Sequence, residues 1–243
     1  MLNLSNLKYY AYLFHPFNQK NRENFKKNIL HNQFKRLAPK ALVDISKVFL
    51  SYQPNINVWL AFGTLLGAYR ENKIIDYDYD LDFGIMDSDM TEDFIKHLEE
   101  NGFTLYKHFC IKSEDNLLNN FVSEYTFIYE GFVLLDFFVF KEVNNQISAF
   151  LFDAEDGLTW NETLNKYNNG LRTIKRSFSK FNYKKIFFYD SEFLIPENTD
   201  LYLREAYGDD FMTPKQYTYS ERPRTNECIL DDTTLGIEVK NRS

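Results

Sequence analysis

Residues 58–86 read VWLAFGTLLGAYRENKIIDYDYDLDFGIM, and the fold turns on how this stretch is read. An apolar run from Val58 ends at Gly63-Thr64. Leu65 to Asn72 follows with helical spacing, and Leu65, Leu66, Ala68 and Tyr69 are its core candidates. Asp76, Asp78, Asp80 and Asp82 then recur at every second position, and Phe83 and Ile85 close the unit. On a strand, alternation sends Asp80 and Asp82 to one face and Leu81 and Phe83 to the other. Two carboxylates ~7 Å apart repel by roughly 2 kcal/mol at an effective dielectric of ~20. A bound divalent cation turns that cost into a ligand field. Asp80 and Asp82 are therefore candidate ligands of one metal ion. Asp76 reads as the entry to the strand.

Upstream, Gly63-Thr64 turns the first strand into a helix. Glycine allows close backbone approach, and a helix N-terminus offers free N–H groups at a positive dipole end, so Gly63 and Thr64 are candidate phosphate contacts. Arg70 and Lys73, late in that helix, are candidates to meet phosphate or substrate charge, with surface solvation as the plainer alternative. Downstream, FVLLDFFVF (132–140) buries one acid, Asp136, among apolar residues. A buried carboxylate is costly unless it is paired or binds metal. Asp136 on a neighbouring strand supplies the third carboxylate that such a site needs.

Further out, Leu2, Leu4, Leu7, Tyr10 and Leu13 mark a loose helical face ending near Pro16. Residues 20–40 are basic, a candidate peripheral contact with an anionic membrane or polysaccharide; a solvated helix face is the plainer reading. A helix is expected from about Ala38 to Tyr52, with Pro39 in its first turn. Ser88 or Asp89 should cap a helix from Met90 to Asn101. Strands are expected at 103–109, 121–129 and 132–140, the last two joined by Glu130-Gly131. A short helix fits 160–167. Arg172, Lys175, Arg176, Lys180, Lys184 and Lys185 form a second basic stretch, able to meet an anionic donor or acceptor but read foremost as solvated surface. A hairpin turns at Tyr189-Asp190-Ser191, and Thr199 caps a helix to Tyr207 that Gly208 ends. Residues 218–243 read as a polar, partly ordered tail.

The chain has 243 residues, with 44% hydrophobic and 26% charged residues, an ordinary globular composition. Its 24 Phe and 17 Tyr fall largely in strand-like runs and indicate a sheet with a substantial core. The net charge of −7 disfavours bulk nucleic-acid binding. Cys110 and Cys228 lie far apart, which indicates neither a zinc site nor a disulfide framework. No signal-peptide pattern opens the chain and no run approaches about 18 apolar residues, so the expected location is cytoplasmic, with peripheral contact at the inner face of the membrane.

Strand, Gly-Thr, helix, Asp-x-Asp on a strand, then a third Asp on a later strand is the layout of the nucleotidyltransferase fold. FGTLLGAYRENKIIDYDYDLDFGI (62–85) further resembles the LicD/fukutin family block GGTLLGAxRxxxxIPWDDDxDxxx. FFYDSEFLIPENTDLYLREAYGDDFMTP (187–214) is similar to that family's C-terminal pattern, and Leu135-Asp136-Phe137 to its Asp-Phe element. Phe62 stands where the first glycine is usual, Asp76-Tyr77 where Pro-Trp is usual, and Tyr79 in place of the middle Asp. The resemblance implies an α/β (α+β) fold, a nucleotidyltransferase-like mixed sheet flanked by helices. It places that domain at 34–217, between a helical extension (1–33) and the tail (218–243).

It also implies an activity: transfer of a phosphorylated alcohol, such as phosphocholine or ribitol phosphate, from a CDP-activated donor to a hydroxyl of a glycan or glycolipid, releasing CMP. On that reading Asp80, Asp82 and Asp136 hold Mg²⁺ or Mn²⁺ and are catalytic, and Asp136 is a candidate to accept the acceptor hydroxyl's proton. Gly63, Thr64, Arg70, Lys73 and Asp78 contact substrate. A glycosyltransferase using Asp-x-Asp, an enzyme transferring nucleotide from an NTP, and an inactive scaffold in glycan assembly are the competing readings. The identity of the products separates them.

Overall fold

The computed structural model describes residues 19–143, 145–215 and 225–241. Among them are five helices and eleven strands. In chain order these are α1 (Gln19–Ser51), β1 (Val58–Leu60), α2 (Phe62–Glu71), β2 (Asp80–Met86), α3 (Glu92–Glu100), β3 (Phe103–Lys112), β4 (Val122–Tyr129) and β5 (Val133–Val143). Then come β6 (Gln146–Asp153), α4 (Trp160–Lys166), β7 (Gly170–Ser179), β8 (Tyr183–Phe188), β9 (Ser191–Pro196), α5 (Thr199–Tyr207), β10 (Glu227–Ile229) and β11 (Leu235–Lys240).

The sheet is mixed, as expected. Its strand order is β10-β7-β11-β3-β4-β5-β2-β1-β9-β8, with β6 pairing both β5 and β7. The antiparallel ladder β3-β4-β5-β6-β7-β11 therefore closes on itself. β5 serves two partners: Leu134–Phe140 run parallel to β2, while Lys141–Val143 pair with β6.

The inner faces of β2 and β5 are aromatic. Phe83 and Phe137 stack with centroids 5.2 Å apart, and Phe49 of α1 meets both edge-on. Trp59 on β1 is fully buried against Gly84 of β2, where a Cβ would lie 2.2 Å from Trp59 Cε2.

Several expectations are corrected. α1 does not start near Ala38; it begins at Gln19 and carries Pro39 inside it. Proline forfeits one backbone hydrogen bond. The stripe Phe34, Leu37, Ala38, Ala41, Leu42 and Ile45, buried on β5 and β9, outweighs that loss. Thr91, not Ser88 or Asp89, caps α3, accepting from the Phe94 N–H, and Asn198, not Thr199, stands at the N-cap of α5. Within the expected polar, partly ordered tail, residues 227–229 and 235–240 form β10 and β11. β11 lies inside the sheet, between β7 and β3. Its sequence LGIEVK sets Leu235, Ile237 and Val239 at every second position, a strand alternation inside an otherwise polar segment. The expected helical face between Leu2 and Pro16 lies outside the described residues. No helix among those described is both long and apolar enough to cross a membrane.

Gly84→Ala forces a methyl into the Trp59 indole. Such overpacking costs about 1–3 kcal/mol, and urea unfolding of the variant checks it.

Candidate active site

Parallel register places Asp82 of β2 directly opposite Asp136 of β5. Side chains at paired positions share a face, so Leu81, Phe83, Leu135 and Phe137 turn inward, all fully buried, and Asp80, Asp82 and Asp136 turn outward together. One carboxylate oxygen from each of the three lies within 4.8 Å of the others.

The acids are held by donors from three directions. The Thr126 hydroxyl on β4 donates to Asp136 Oδ1 at 2.6 Å. The Gly63 N–H at the start of α2 donates to Asp82 Oδ2 at 2.8 Å. The Asp82 N–H donates to Thr64 Oγ1 at 2.7 Å, and the Ala61 N–H to the Asp82 carbonyl at 3.1 Å. Gly63 is pressed so close that a Cβ would lie 3.0 Å from Asp82 Oδ2 and 3.2 Å from Asp78 Oδ2. Phe62, in the usual place of a glycine, takes the left-handed φ of +35° and is 6% exposed, held against Phe138 and Phe178.

These carboxylates line a cavity of about 670 Å³. Burial pushes Asp78 up to about 7, with Arg70 opposing. Burial and then repulsion from Asp136 and Asp78 bring Asp80 to about 7. Asp82 is raised well above the usual carboxylate range by burial and then by Asp80, Asp78 and Asp136. Asp136 is raised by burial, against the Thr126 hydrogen bond and Lys107. Glu124, also facing the cavity, is pushed to about 8 by burial and then by Asp136.

The donor set fits a hard divalent cation. Three carboxylate oxygens converge from two strands at a depth where ionisation is disfavoured, the condition that such a cation relieves. The cluster can hold a metal ion.

The structure brings Gly63, Arg70, Asp78, Asp80, Asp82 and Asp136 together around one cavity. Two expected substrate contacts are placed elsewhere. Thr64 is 2% exposed and does not line the cavity; its hydroxyl fixes β2 at Asp82. Lys73 points away, paired with Asp76 at 3.0 Å and Glu71 at 3.2 Å. Arg70, whose side chain is 5% exposed, pairs with Glu71 at 2.7 Å.

Lys107, Glu124 and Arg176 also line the cavity, with Asp210, Thr213 and Lys215; among these only Arg176 was a sequence candidate, in a basic stretch able to meet an anionic donor or acceptor. Glu124 lies among Ser123, Tyr125 and Thr126 on β4, so no apolar run marks it as FVLLDFFVF marks Asp136. The solvated-surface reading of the second basic stretch fails for Arg172 and Arg176, which β7 buries to 9% and 4% exposure. Aromatic walls, including Phe109, Phe138, Phe152 and Trp160, surround these groups.

A model of the LicD/FKTN/FKRP nucleotidyltransferase domain matches residues 55–198, the span from β1 to the start of α5. The chain belongs to the LicD family. The shared span contains the acid triad, Gly63, Arg70, Lys107, Glu124 and Arg176. The ribitol-5-phosphate transferase FKTN of Mus musculus is 31% identical over 189 residues, 77% of this chain and 34% of that protein. Its Homo sapiens counterpart is 30% identical over 194 residues, 77% of this chain and 36% of that protein. The chain thus spans about a third of the length of the curated relatives it matches. Among solved structures, the lincosamide antibiotic adenylyltransferase LnuA bound to lincomycin aligns over 71% of this chain and 94% of its own, with a TM-score of 0.38 and 14% identity. A superposition that loose does not bear on the site.

Raised carboxylates set a pH dependence. Between the ordinary values of 3.8 and 4.5 and the raised values of about 7 to 8, the folded metal-free chain holds more protons than the unfolded one. Stability therefore falls as pH rises through that window and levels off above it. Surface carboxylates lowered by paired lysines, such as Asp76 and Glu71, act below it. A divalent cation held by the cluster would bind its ionised form, so the stabilising shift from MgCl₂ should be larger at about pH 8.5 than at about pH 5.5. Thermal melts with and without MgCl₂ at the two pH values check this.

Proposed function

We propose that the chain moves a phosphorylated alcohol from a CDP-activated donor onto a glycan hydroxyl, releasing CMP. The observation that carries the proposal is the convergence of Asp80, Asp82 and Asp136 within 4.8 Å on the wall of a large cavity, in a LicD-family chain. The names of the relatives support a polyol phosphate as cargo. Apposed carboxylates, a close glycine and a buried arginine suit phosphoryl transfer, where catalysis is mostly positioning and charge stabilisation.

In this reading Asp80, Asp82 and Asp136 hold Mg²⁺ or Mn²⁺. When bound, the ion neutralises charge on the donor diphosphate and polarises the reacting oxygens. Gly63 gives the donor close access to the cluster while its N–H keeps Asp82 oriented. Arg70 balances charge near Asp78. The bond from phosphorus to the CMP oxygen breaks as the bond to the acceptor oxygen forms, and the acceptor hydroxyl gives up its proton. Glu124 takes that proton: its carboxylate faces the cavity, lies outside the triad and makes no hydrogen bond among the described residues. Asp136, the earlier candidate, has Oδ1 engaged by Thr126 and belongs to the triad. The exposed basic face of α1, including Lys35 and Arg36, supports peripheral contact with an anionic membrane surface.

The experiment is product analysis with CDP-ribitol, Mg²⁺ and a glycan acceptor array. The expected products are CMP and a phosphodiester. A nucleoside diphosphate with a glycoside, formed from nucleotide-sugars, contradicts the reading, as does pyrophosphate release from an NTP. Asp82→Asn should abolish turnover and leave the fold intact by circular dichroism. Glu124→Gln should lower kcat by about 10²–10⁴ while donor binding is retained, because it removes only the proton acceptor.

A further inference from the structure

Arg176 lies midway along β7, opposite Ala149 of β6 and Glu227 of β10. It is 4% exposed and still lines the cavity. Its guanidinium is fixed from several sides. Nε donates to Asn226 Oδ1 at 3.1 Å and pairs with Glu227 Oε1 at 3.4 Å. Nη2 donates to the Ala206 carbonyl at the end of α5. The guanidinium carbon lies over the Phe62 ring at 5.3 Å and the Tyr207 ring at 5.9 Å.

A guanidinium has five N–H donors in a planar fork. The contacts at Nε and Nη2 leave Nη1 without a hydrogen-bond partner among the described residues. A deeply buried cation, locked in plane and keeping an open edge at a cavity, has the geometry for two oxygens of one phosphate. Its position agrees. The ring it lies over belongs to Phe62, whose neighbour Gly63 donates to Asp82. The cation and the acid triad thus border the same volume from different strands. Phe62 also gains a reason to hold a left-handed backbone, since its ring is part of what fixes the arginine.

We propose that Arg176 is the anion anchor of the cavity, binding the diphosphate of the nucleotide-linked donor from the β7 wall. The proposal rests on the donor chemistry proposed above. Isothermal titration of the full chain with inorganic pyrophosphate in Mg²⁺ buffer tests it without requiring turnover. CDP is titrated in parallel and Mg²⁺ affinity is measured separately.

Arg176→Lys keeps the charge but loses the fork, and should weaken pyrophosphate binding by about tenfold or more. Arg176→Gln should weaken it further, and Mg²⁺ affinity should stay at the wild-type value in both. Glu227→Gln should match or exceed wild type, because the carboxylate it removes repels the anion. This near-isosteric variant decides the question even where an Arg176 variant does not fold. A purely structural Arg176–Glu227 pair predicts that Glu227→Gln loses affinity as Arg176→Lys does. That result overturns the proposal, as does wild-type affinity in Arg176→Lys or no pyrophosphate binding by the wild type. Pyrophosphate binding without CDP binding leaves the anchor standing and sinks the CDP-donor reading. CDP binding without pyrophosphate binding does the reverse.

Discussion

Asp82 faces Asp136 across the parallel β2–β5 pair, and the rest of the site follows from that register. A slip of one residue would turn the acids into the aromatic core and the phenylalanines toward the cavity. The register is pinned from below by the stacked rings of Phe83 and Phe137. From above it is pinned by donors reaching the acids from Gly63 and Thr126. The folded chain therefore carries a local electrostatic cost, visible as the raised carboxylates of Asp78, Asp80, Asp82 and Asp136, which a bound cation would offset.

Around that constraint the remaining parts sort by strand. β2 and β5 bring the acids, β3 and β4 bring Lys107 and Glu124, and β7 brings Arg176. The junction of β1 with α2 brings Gly63, where a Cβ would press within 3.0–3.2 Å of two carboxylates. Because the ladder β3-β4-β5-β6-β7-β11 closes, Lys107, Glu124, Asp136 and Arg176 face one volume, and β2 brings Asp80 and Asp82 to it from beside β5. A site with acids and cations on separate walls, and aromatic surface between them, suits a donor that is anionic at one end and an acceptor that is not.

Much of this was legible in the residues. Period-two aspartates and a lone acid in FVLLDFFVF marked the carboxylates that the structure brings together, because alternation and the cost of burying charge are local rules. Positive φ at Glu130 and Gly131, and at Tyr189 and Asp190, falls where the turns were expected. The hidden parts depend on tertiary pairing. β11 alternates Leu235, Ile237 and Val239, but its place between β7 and β3 is set by distant pairing, and Arg176 sits in a stretch whose charge reads as surface until β10 and α5 cover it. Thr64 misled for a related reason. Its place beside a glycine suggests phosphate, while its hydroxyl is used to fix β2. Glu124 lies in the mixed stretch VSEYTFIY, so no local rule marks it, and the pairing of β4 with β5 is what brings it to the cavity.

On this reading the three aspartates form one cation site that meets a nucleotide diphosphate. Anomalous diffraction from a crystal grown with Mn²⁺ and CDP tests it most directly. The account predicts manganese density shared by Asp80, Asp82 and Asp136, with the CDP phosphates beside it in the cavity. Manganese seated elsewhere, or CDP bound away from these carboxylates, would contradict it.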